Sequence, residues 1–214
     1  MNHNQELQLS DVEETGLLTL YCRAAESLSK DPIIDDRKAV EIVKKLDPLL
    51  CTSKSRLLRD LADRKIDHRL VVHIALRAQY YDQCAQNFIS RNPDGMVVNL
   101  GCGMDTRFFR MDDGKVRLLD VDLEEMIRSK KKLLDENDRY KMLGCSLLDN
   151  RWMDAVDRMG YAPVVFLAEG VFMYLDGGDV QRLVLEMQKR FPGSELVCEV
   201  TNAKWIKLAT YKMQ

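Results

Sequence analysis

Two glycines spaced as Gly-x-Gly mark the segment of this chain best suited to approach a ligand. The short β-branched run Val97–Leu100 leads into Gly101 and Gly103, and amphipathic, helix-like sequence follows. Only glycine lets the backbone pass close to a ligand in a tight turn after a strand. In an α/β sheet such a turn lies at the carboxyl edge, the usual ligand crevice. The alternative is a glycine turn that binds nothing.

Two further positions bear on which nucleotide this turn would bind. A nicotinamide fingerprint has a third glycine three positions after Gly103, where this chain has Thr106. Asp122 follows Gly101 by 21 residues and ends a predicted strand. A carboxylate at that strand end could accept hydrogen bonds from both hydroxyls of a ribose. It could also be the N-cap of the helix that follows, and the two roles are compatible.

A carboxylate and a guanidinium form a second group of candidates. Glu169 directly follows the apolar run Val164–Ala168, and a carboxylate at the end of a buried strand is costly unless it is paired or catalytic. Its alternative role is to cap the next segment. Arg77 lies beside the apolar stripe of a long predicted helix, where a guanidinium favours a carboxylate or phosphate partner. Arg77 could instead pack its stem along the helix or bridge to a protein acid.

Two loops carry weaker signals. Ser146 and Leu147 follow the third predicted strand, where a polar side chain could meet an adenine edge and the leucine could pack on its face. Tyr174, five residues after Glu169, could line an acceptor pocket or be a core aromatic.

The elements that must position these residues divide the chain into two parts. Apolar residues at helical spacing predict helices over 17–28, over 36–46 with an end before Pro48, and over 67–90. From residue 93 onward strands alternate with helices near 104–111, 123–136, 151–159 and 178–191. The predicted strands are Met96–Leu100, Lys115–Asp122, Tyr140–Gly144, Val164–Ala168 and Glu195–Val200. This alternation predicts an α/β fold with a parallel sheet and helices on both faces.

Composition limits the classes of function. The 214 residues carry a formal charge of −2, so no basic excess points to nucleic acid or an anionic membrane. No apolar run approaches the roughly 20 residues of a membrane span, and residues 1–4 are too polar for a signal peptide. The six scattered cysteines favour a reduced, cytoplasmic location, and three histidines make a histidine-rich metal site implausible.

Taken together, these motifs resemble those of the leucine carboxyl methyltransferase family, which are class I enzymes dependent on S-adenosylmethionine. The sequence is most similar in character to the microbial branch of this family, which is linked to small-molecule O-methylation. The resemblance covers nearly the whole chain. Its segments are 20–27, 31–36, Arg77–Asp82, Asn99–Arg107, Asp120–Leu123, Ser146–Asp149 and Ala168–Leu175. It implies a Rossmann-like class I methyltransferase domain at residues 93–214 and an N-terminal helical lid at residues 1–92. Family members usually continue past the fifth strand, so two further strands and part of the substrate wall are expected beyond residues 212–214.

The resemblance also implies roles for the candidate residues. Arg77 would bind the carboxylate of the cofactor's methionine, and Glu169 the methionine portion. Gly101, with Gly103 in the same turn, would allow close backbone approach, and Asp122 would bind the ribose. Ser146 and Leu147 would contact the adenine, and this contact is expected to be weaker because some members have an acid where this chain has Ser146.

The resulting prediction is an S-adenosylmethionine-dependent O-methyltransferase acting on a carboxylate or hydroxyl of a small-molecule acceptor. Tyr174 is the candidate acceptor-pocket residue, and no metal, nucleic acid or membrane partner is expected. Two alternatives remain open, a non-catalytic S-adenosylmethionine-binding protein and a nicotinamide-dependent oxidoreductase. The oligomeric state is also left open.

Overall fold

The structure, a computed structural model, describes residues 10–200. Its first elements are the helices α1 (Asp11–Ser27), α2 (Arg37–Leu50), α3 (Arg56–Ala62) and α4 (His68–Arg91). The next are β1 (Met96–Leu100), α5 (Arg107–Met111), β2 (Leu118–Asp122), α6 (Glu124–Lys130) and β3 (Tyr140–Gly144). The last are α7 (Arg151–Met159), β4 (Val164–Ala168), the 3-10 turn Phe172–Tyr174, α8 (Gly177–Arg190) and β5 (Glu195–Cys198). The polar start at 1–4 and the end at 212–214 lie outside the described residues.

The strands form one parallel sheet in the order β3-β2-β1-β4-β5. The central strand β1 pairs with β2 on one side and with β4 on the other. After β3 the chain therefore crosses to the opposite side of β1, which makes the β1–β4 boundary the topological switch point, where α/β sheets bind ligands. This sheet confirms the predicted α/β, Rossmann-like fold.

The predicted strands agree closely with the observed ones. β1, β3 and β4 have the predicted bounds, and β1 and β4 are buried along their whole length. β2 begins three residues later than predicted, because the backbone N–H groups of Lys115 and Val116 donate to the Asp113 carboxylate and form a turn. β5 ends at Cys198, two residues before the predicted end.

The N-terminal helices differ from the prediction by more than one residue in three places, and the first is that α1 begins at Asp11, six residues before the predicted start at residue 17. The predicted end of α2 before Pro48 is wrong, because the helix continues to Leu50. Proline removes one backbone donor, and the burial of Leu50 stabilises the last turn. Helix α3 was not predicted at all. The Ser55 hydroxyl accepts from the backbone N–H of Leu58 at its start, and Leu58 and Leu61 are buried.

The helices after β1 and β2 are shorter than predicted, whereas α7 has the predicted bounds. Before α5, residues 101–106 form the glycine turn rather than helix. After α6, the N–H groups of Leu133 and Leu134 both donate to the Lys130 carbonyl, which gives turns instead of continued helix. α8 begins and ends one residue earlier than predicted.

Each face of the sheet is covered by helices. One cluster of buried apolar side chains joins the N-terminal helices to one face, with Leu20 and Val97 among its members. A second cluster joins the other face to α7 and α8 and includes Trp152 and Leu183. The first cluster extends across residue 92, and the division into a lid and a sheet domain at that point stays a prediction. Within residues 10–200, no helix has the length and apolar character needed to cross a membrane.

Candidate functional site

The glycine turn after β1 is left-handed at both of its glycines. Gly101 has φ 63° and Gly103 has φ 49°. A Cβ at Gly101 would lie 2.5 Å from Val171 Cγ2, so the absent side chain makes room for the segment after β4. The position of a Cβ at Gly103 is more open, with Gly16 Cα of α1 nearest at 3.8 Å. The turn therefore lies between that segment and α1, and its approach to a cofactor stays a prediction.

Asp122 ties the end of β2 to the glycine turn. Its Oδ2 accepts from the Gly103 N–H at 2.7 Å, and its Oδ1 accepts from the Leu123 N–H at 2.7 Å. Burial raises the pKa of Asp122 above its usual range and outweighs the opposite effect of these two hydrogen bonds. The N-cap of α6 is Leu123, so Asp122 does not fill the helix-cap role that the sequence left open. Each carboxylate oxygen keeps a lone pair that could accept a ribose hydroxyl.

Glu169 and Arg77 meet at the carboxyl end of β4. Arg77 Nε lies 2.8 Å from Glu169 Oε1, and Arg107 Nη2 lies 2.6 Å from Oε2. Burial works to raise the pKa of Glu169, but the Arg107 and Arg77 guanidiniums outweigh it and hold that pKa below its usual range. Glu169 is therefore paired, as a carboxylate at a buried strand end must be. Arg77 bridges to a protein acid, which was one of its two alternatives.

A second carboxylate faces Arg77. Glu199, just after β5, has Oε1 3.5 Å from Arg77 Nη1. The Arg77 guanidinium also lies 3.4 Å from where a Cβ of Gly170 would be, and Gly170 has φ 66°. Sequence reasoning missed Glu199 because the predicted strand ran to Val200 and included it, whereas the observed strand ends at Cys198 and leaves Glu199 immediately after it, as Glu169 is after β4.

The loop after β3 lies next to Asp122, because the Cys145 N–H donates to the Asp122 carbonyl at 2.7 Å. Ser146 is exposed and its hydroxyl accepts from the Leu148 N–H. Leu147 is buried in the cluster against α7, and its carbonyl accepts from Trp152 Nε1. The adenine contacts assigned to Ser146 and Leu147 stay predictions.

Tyr174 lies in the 3-10 turn after β4 and is 70% exposed. Its neighbour Met173 is also 70% exposed. The core-aromatic alternative for Tyr174 is therefore wrong. An exposed aromatic and an exposed thioether follow Glu169 closely, and lining an acceptor pocket is the role that stays predicted for Tyr174.

Buried charges connect this region to the N-terminal helices. Asp36, between α1 and α2, is fully buried and accepts from Arg23 Nε at 3.0 Å, Thr106 Oγ1 at 2.6 Å and Arg110 Nη1 at 2.8 Å. Arg23 also donates to the Met104 carbonyl at 2.7 Å. Thr106 thus uses its hydroxyl in a buried network at the position where a nicotinamide fingerprint has glycine. These bonds fasten the N-terminal helices to the segment that follows the glycine turn.

Comparisons with known proteins agree with the motifs quoted above. A family model described as leucine carboxyl methyltransferase matches residues 16–188. The tetracenomycin polyketide synthesis O-methyltransferase TcmP of Streptomyces glaucescens is 29% identical over 208 residues, which cover 97% of this chain and 72% of that protein. The S-adenosyl-L-methionine-dependent methyltransferase dpfgK of Gibberella zeae is 27% identical over 202 residues, which cover 91% of this chain and 66% of that protein.

Among solved structures, similarity is found to the MycE methyltransferase from the mycinamycin biosynthetic pathway, in complex with Mg and SAH. It covers 82% of this chain and 46% of that one, with 16% identity and a TM-score of 0.39. The chain therefore spans about two thirds of the length of the two curated relatives and about half of this solved chain.

Proposed function

Because the chain belongs to the leucine carboxyl methyltransferase family, we propose that it transfers a methyl group from S-adenosylmethionine to an oxygen atom of a small-molecule acceptor. The observation that carries this proposal is the Arg77–Glu169 pair at the carboxyl end of β4, beside the switch point. The methionine portion of the cofactor has one carboxylate and one ammonium group. A site for it needs a cation and an anion side by side, and this pair supplies both.

The residues at this edge of the sheet have the charges and hydrogen-bonding groups that the parts of the cofactor require. Arg77 would receive the carboxylate of the methionine portion and Glu169 its ammonium. Asp122 would receive the ribose hydroxyls, and the exposed Ser146 would meet the adenine edge with Leu147 beside it. The bound cofactor supplies a methyl group on a positively charged sulfur, which is already a strong methyl donor. The contribution of the protein is then to align the acceptor oxygen with that methyl group and to exclude water.

The acceptor is proposed to be a small molecule with a carboxylate or hydroxyl group. A carboxylate is ionised near pH 7 and needs no general base, whereas a hydroxyl needs one. Tyr174 is the proposed acceptor-side residue, since it is exposed on the turn that follows Glu169. The near-neutral net charge supports a small acceptor rather than nucleic acid. A cytoplasmic location is also proposed and is supported by the six cysteines, all within residues 10–200 and all unpaired.

Two measurements test this function. Isothermal titration should give binding of S-adenosylhomocysteine and none of NAD, and binding of NAD alone would contradict the proposal. The protein is then incubated with methyl-labelled S-adenosylmethionine and the small-molecule fraction of a cell extract. Labelled methyl esters are cleaved by mild base and labelled ethers are not, so base treatment separates carboxylate from hydroxyl acceptors. Binding without any labelled product would favour the non-catalytic binding protein.

A further inference from the structure

We propose that Arg107 is a positioning residue that fixes the orientation of the Glu169 carboxylate, so that Glu169 can receive the ammonium group of the cofactor. This inference rests on the proposed function, because the ammonium is the ligand that function assigns to Glu169. Arg107 is not itself placed in contact with the cofactor. It is 1% exposed and acts only through the carboxylate it holds.

Every nitrogen of the Arg107 guanidinium is engaged by a different part of the fold. Nε donates to Asp82 Oδ1 of α4 at 2.7 Å, and Nη2 donates to Glu169 Oε2 at 2.6 Å. Nη1 lies 2.7 Å from Asp105 Oδ2 and donates to Asn99 Oδ1 of β1 at 3.2 Å. A planar guanidinium bonded on all its edges has a single orientation. A lysine ammonium, which is a compact point charge, cannot make this set of contacts.

The side chains that bond to Arg107 make further hydrogen bonds to other parts of the fold. Arg110 Nε donates to Asp82 Oδ2 at 2.6 Å, so both oxygens of that carboxylate are used. The Asn99 side chain amide donates to Asp105 Oδ2 at 3.2 Å and to Asp120 Oδ1 at 3.1 Å. Buried polar groups that are fully hydrogen-bonded form rigid networks. The position of Arg107 is therefore set by β1, β2 and α4 together.

The two oxygens of Glu169 differ in what they face. Oε2 faces Arg107, which is buried and fixed, whereas Oε1 faces Arg77, which is 20% exposed and also lies near Glu199. Because Arg107 holds one oxygen from inside the protein, the other oxygen is directed to the accessible side. Without Arg107, Glu169 would depend on Arg77 alone, and Arg77 is shared with a second carboxylate.

The test compares two ligands that differ in the amino acid portion, whose ammonium Glu169 would bind and whose carboxylate Arg77 would bind. S-adenosylhomocysteine carries the amino acid portion, and 5′-methylthioadenosine shares the adenosine and the thioether but lacks it. Arg107→Lys keeps the positive charge and removes the planar guanidinium with its several hydrogen-bond donors. We expect it to weaken S-adenosylhomocysteine binding about tenfold or more and to change methylthioadenosine binding by less than about twofold, both by isothermal titration. The matched control is Arg139→Lys, at an Arg–carboxylate fork with Asp112 away from the site, which should change neither.

The outcomes separate this inference from the proposed function. If Arg107→Lys weakens both ligands equally, or neither, Arg107 has only a structural role and the inference is wrong while the proposed function stands. If the unchanged protein does not prefer S-adenosylhomocysteine over methylthioadenosine, the assignment of Glu169 fails and the inference fails with it. The double variant Arg107→Lys with Glu169→Gln should bind S-adenosylhomocysteine only slightly more weakly than Glu169→Gln alone. Additive losses of affinity would contradict the inference that Arg107 acts through Glu169.

A variant that does not fold would leave no binding to compare, so thermal unfolding of each variant is measured first. If Arg107→Lys fails to fold, the isosteric Asp82→Asn serves in its place, because Asp82 Oδ1 accepts from Arg107 Nε. Asp82→Asn should lower S-adenosylhomocysteine affinity selectively, and an equal loss for both ligands would overturn the inference.

Discussion

Arg77 and Glu169 form an ion pair with 2.8 Å between Nε and Oε1, although 92 positions separate them in the sequence. One belongs to the longest N-terminal helix and the other follows the strand beside the switch point. The candidate cofactor site is therefore built from both halves of the chain, and neither half supplies it alone.

The first prediction concerns the cation of this pair. Replacing Arg77 with Ala should weaken S-adenosylhomocysteine binding by about 2 kcal/mol, or roughly 30-fold, because a charged hydrogen bond to the ligand carboxylate is lost. Isothermal titration measures this change, and Arg69→Ala, exposed on the same helix, is the control. An unchanged dissociation constant would restrict Arg77 to its bridge with Glu169.

The second prediction concerns the glycine turn. Gly101→Ala places a Cβ on a left-handed backbone and 2.5 Å from Val171 Cγ2. It should therefore lower the unfolding free energy by more than the roughly 1–2 kcal/mol expected for the left-handed conformation alone. Gly114→Ala has φ 86° with no atom within 4 Å of its Cβ, and it should cost only the backbone strain. Urea unfolding compares the two. Equal costs would show that Val171 moves aside freely.

The third prediction compares two neighbouring aspartates. Asp36→Asn removes the charge of a fully buried carboxylate between Arg23 and Arg110 and should cost about 3 kcal/mol of unfolding free energy. Asp35→Asn changes an exposed residue paired with Arg37 and should stay within about 0.5 kcal/mol.

The pH dependence of stability checks the same cluster. Burial works to raise the pKa of Asp36, but Arg110 and Arg23 outweigh it and lower that pKa. Its contribution is therefore present above the unfolded-state pKa and is lost as the pH falls through the lower folded-state pKa. Asp36→Asn should reduce the acid sensitivity of unfolding, and an unaltered pH profile would contradict the role assigned to this carboxylate.

The fourth prediction is a pH dependence of cofactor binding. Burial holds the pKa of Asp122 above its usual range, so this carboxylate becomes protonated at a pH above the ordinary aspartate value of about 3.9. A neutral acid accepts ribose hydroxyls less well, so S-adenosylhomocysteine affinity should fall as the pH is lowered through this raised pKa. Titrations at several pH values measure the step. Glu169 has a lowered pKa and should not contribute in that range.

The variant Asp122→Asn separates this group from others. This variant should bind S-adenosylhomocysteine more weakly at neutral pH and lack the acidic step. A step that persists would mean that another residue titrates there.

The contribution of Asp122 to protein stability should vary with pH in the opposite direction to that of Asp36. Because the folded-state pKa of Asp122 is raised, its contribution is largest at low pH and declines as the pH rises through that pKa. Asp122→Asn should remove this decline.

The strands and the places where they end were predictable from the sequence. Buried β-branched runs bounded by turns gave the exact bounds of β1 and β4, and parallel strands bring their carboxyl ends to one edge. Asp122 was therefore identified from its position at the end of β2, and Glu169 from its position directly after β4. Helix ends were less predictable, because the burial of Leu50 outweighs the presence of Pro48 and because α3 has only seven residues.

The charge pairing was decided only by the tertiary structure. The type and position of Arg107 were visible in the sequence, but its partners Asp82 and Glu169 lie 25 and 62 positions away. No local spacing relates them, since they meet only when α4 packs on the sheet next to β4. The strength of each pair depends on burial, which lowers the local dielectric and requires that every charge have a partner. The sequence thus determined which residues lie at the carboxyl edge, whereas folding determined which charges face one another there.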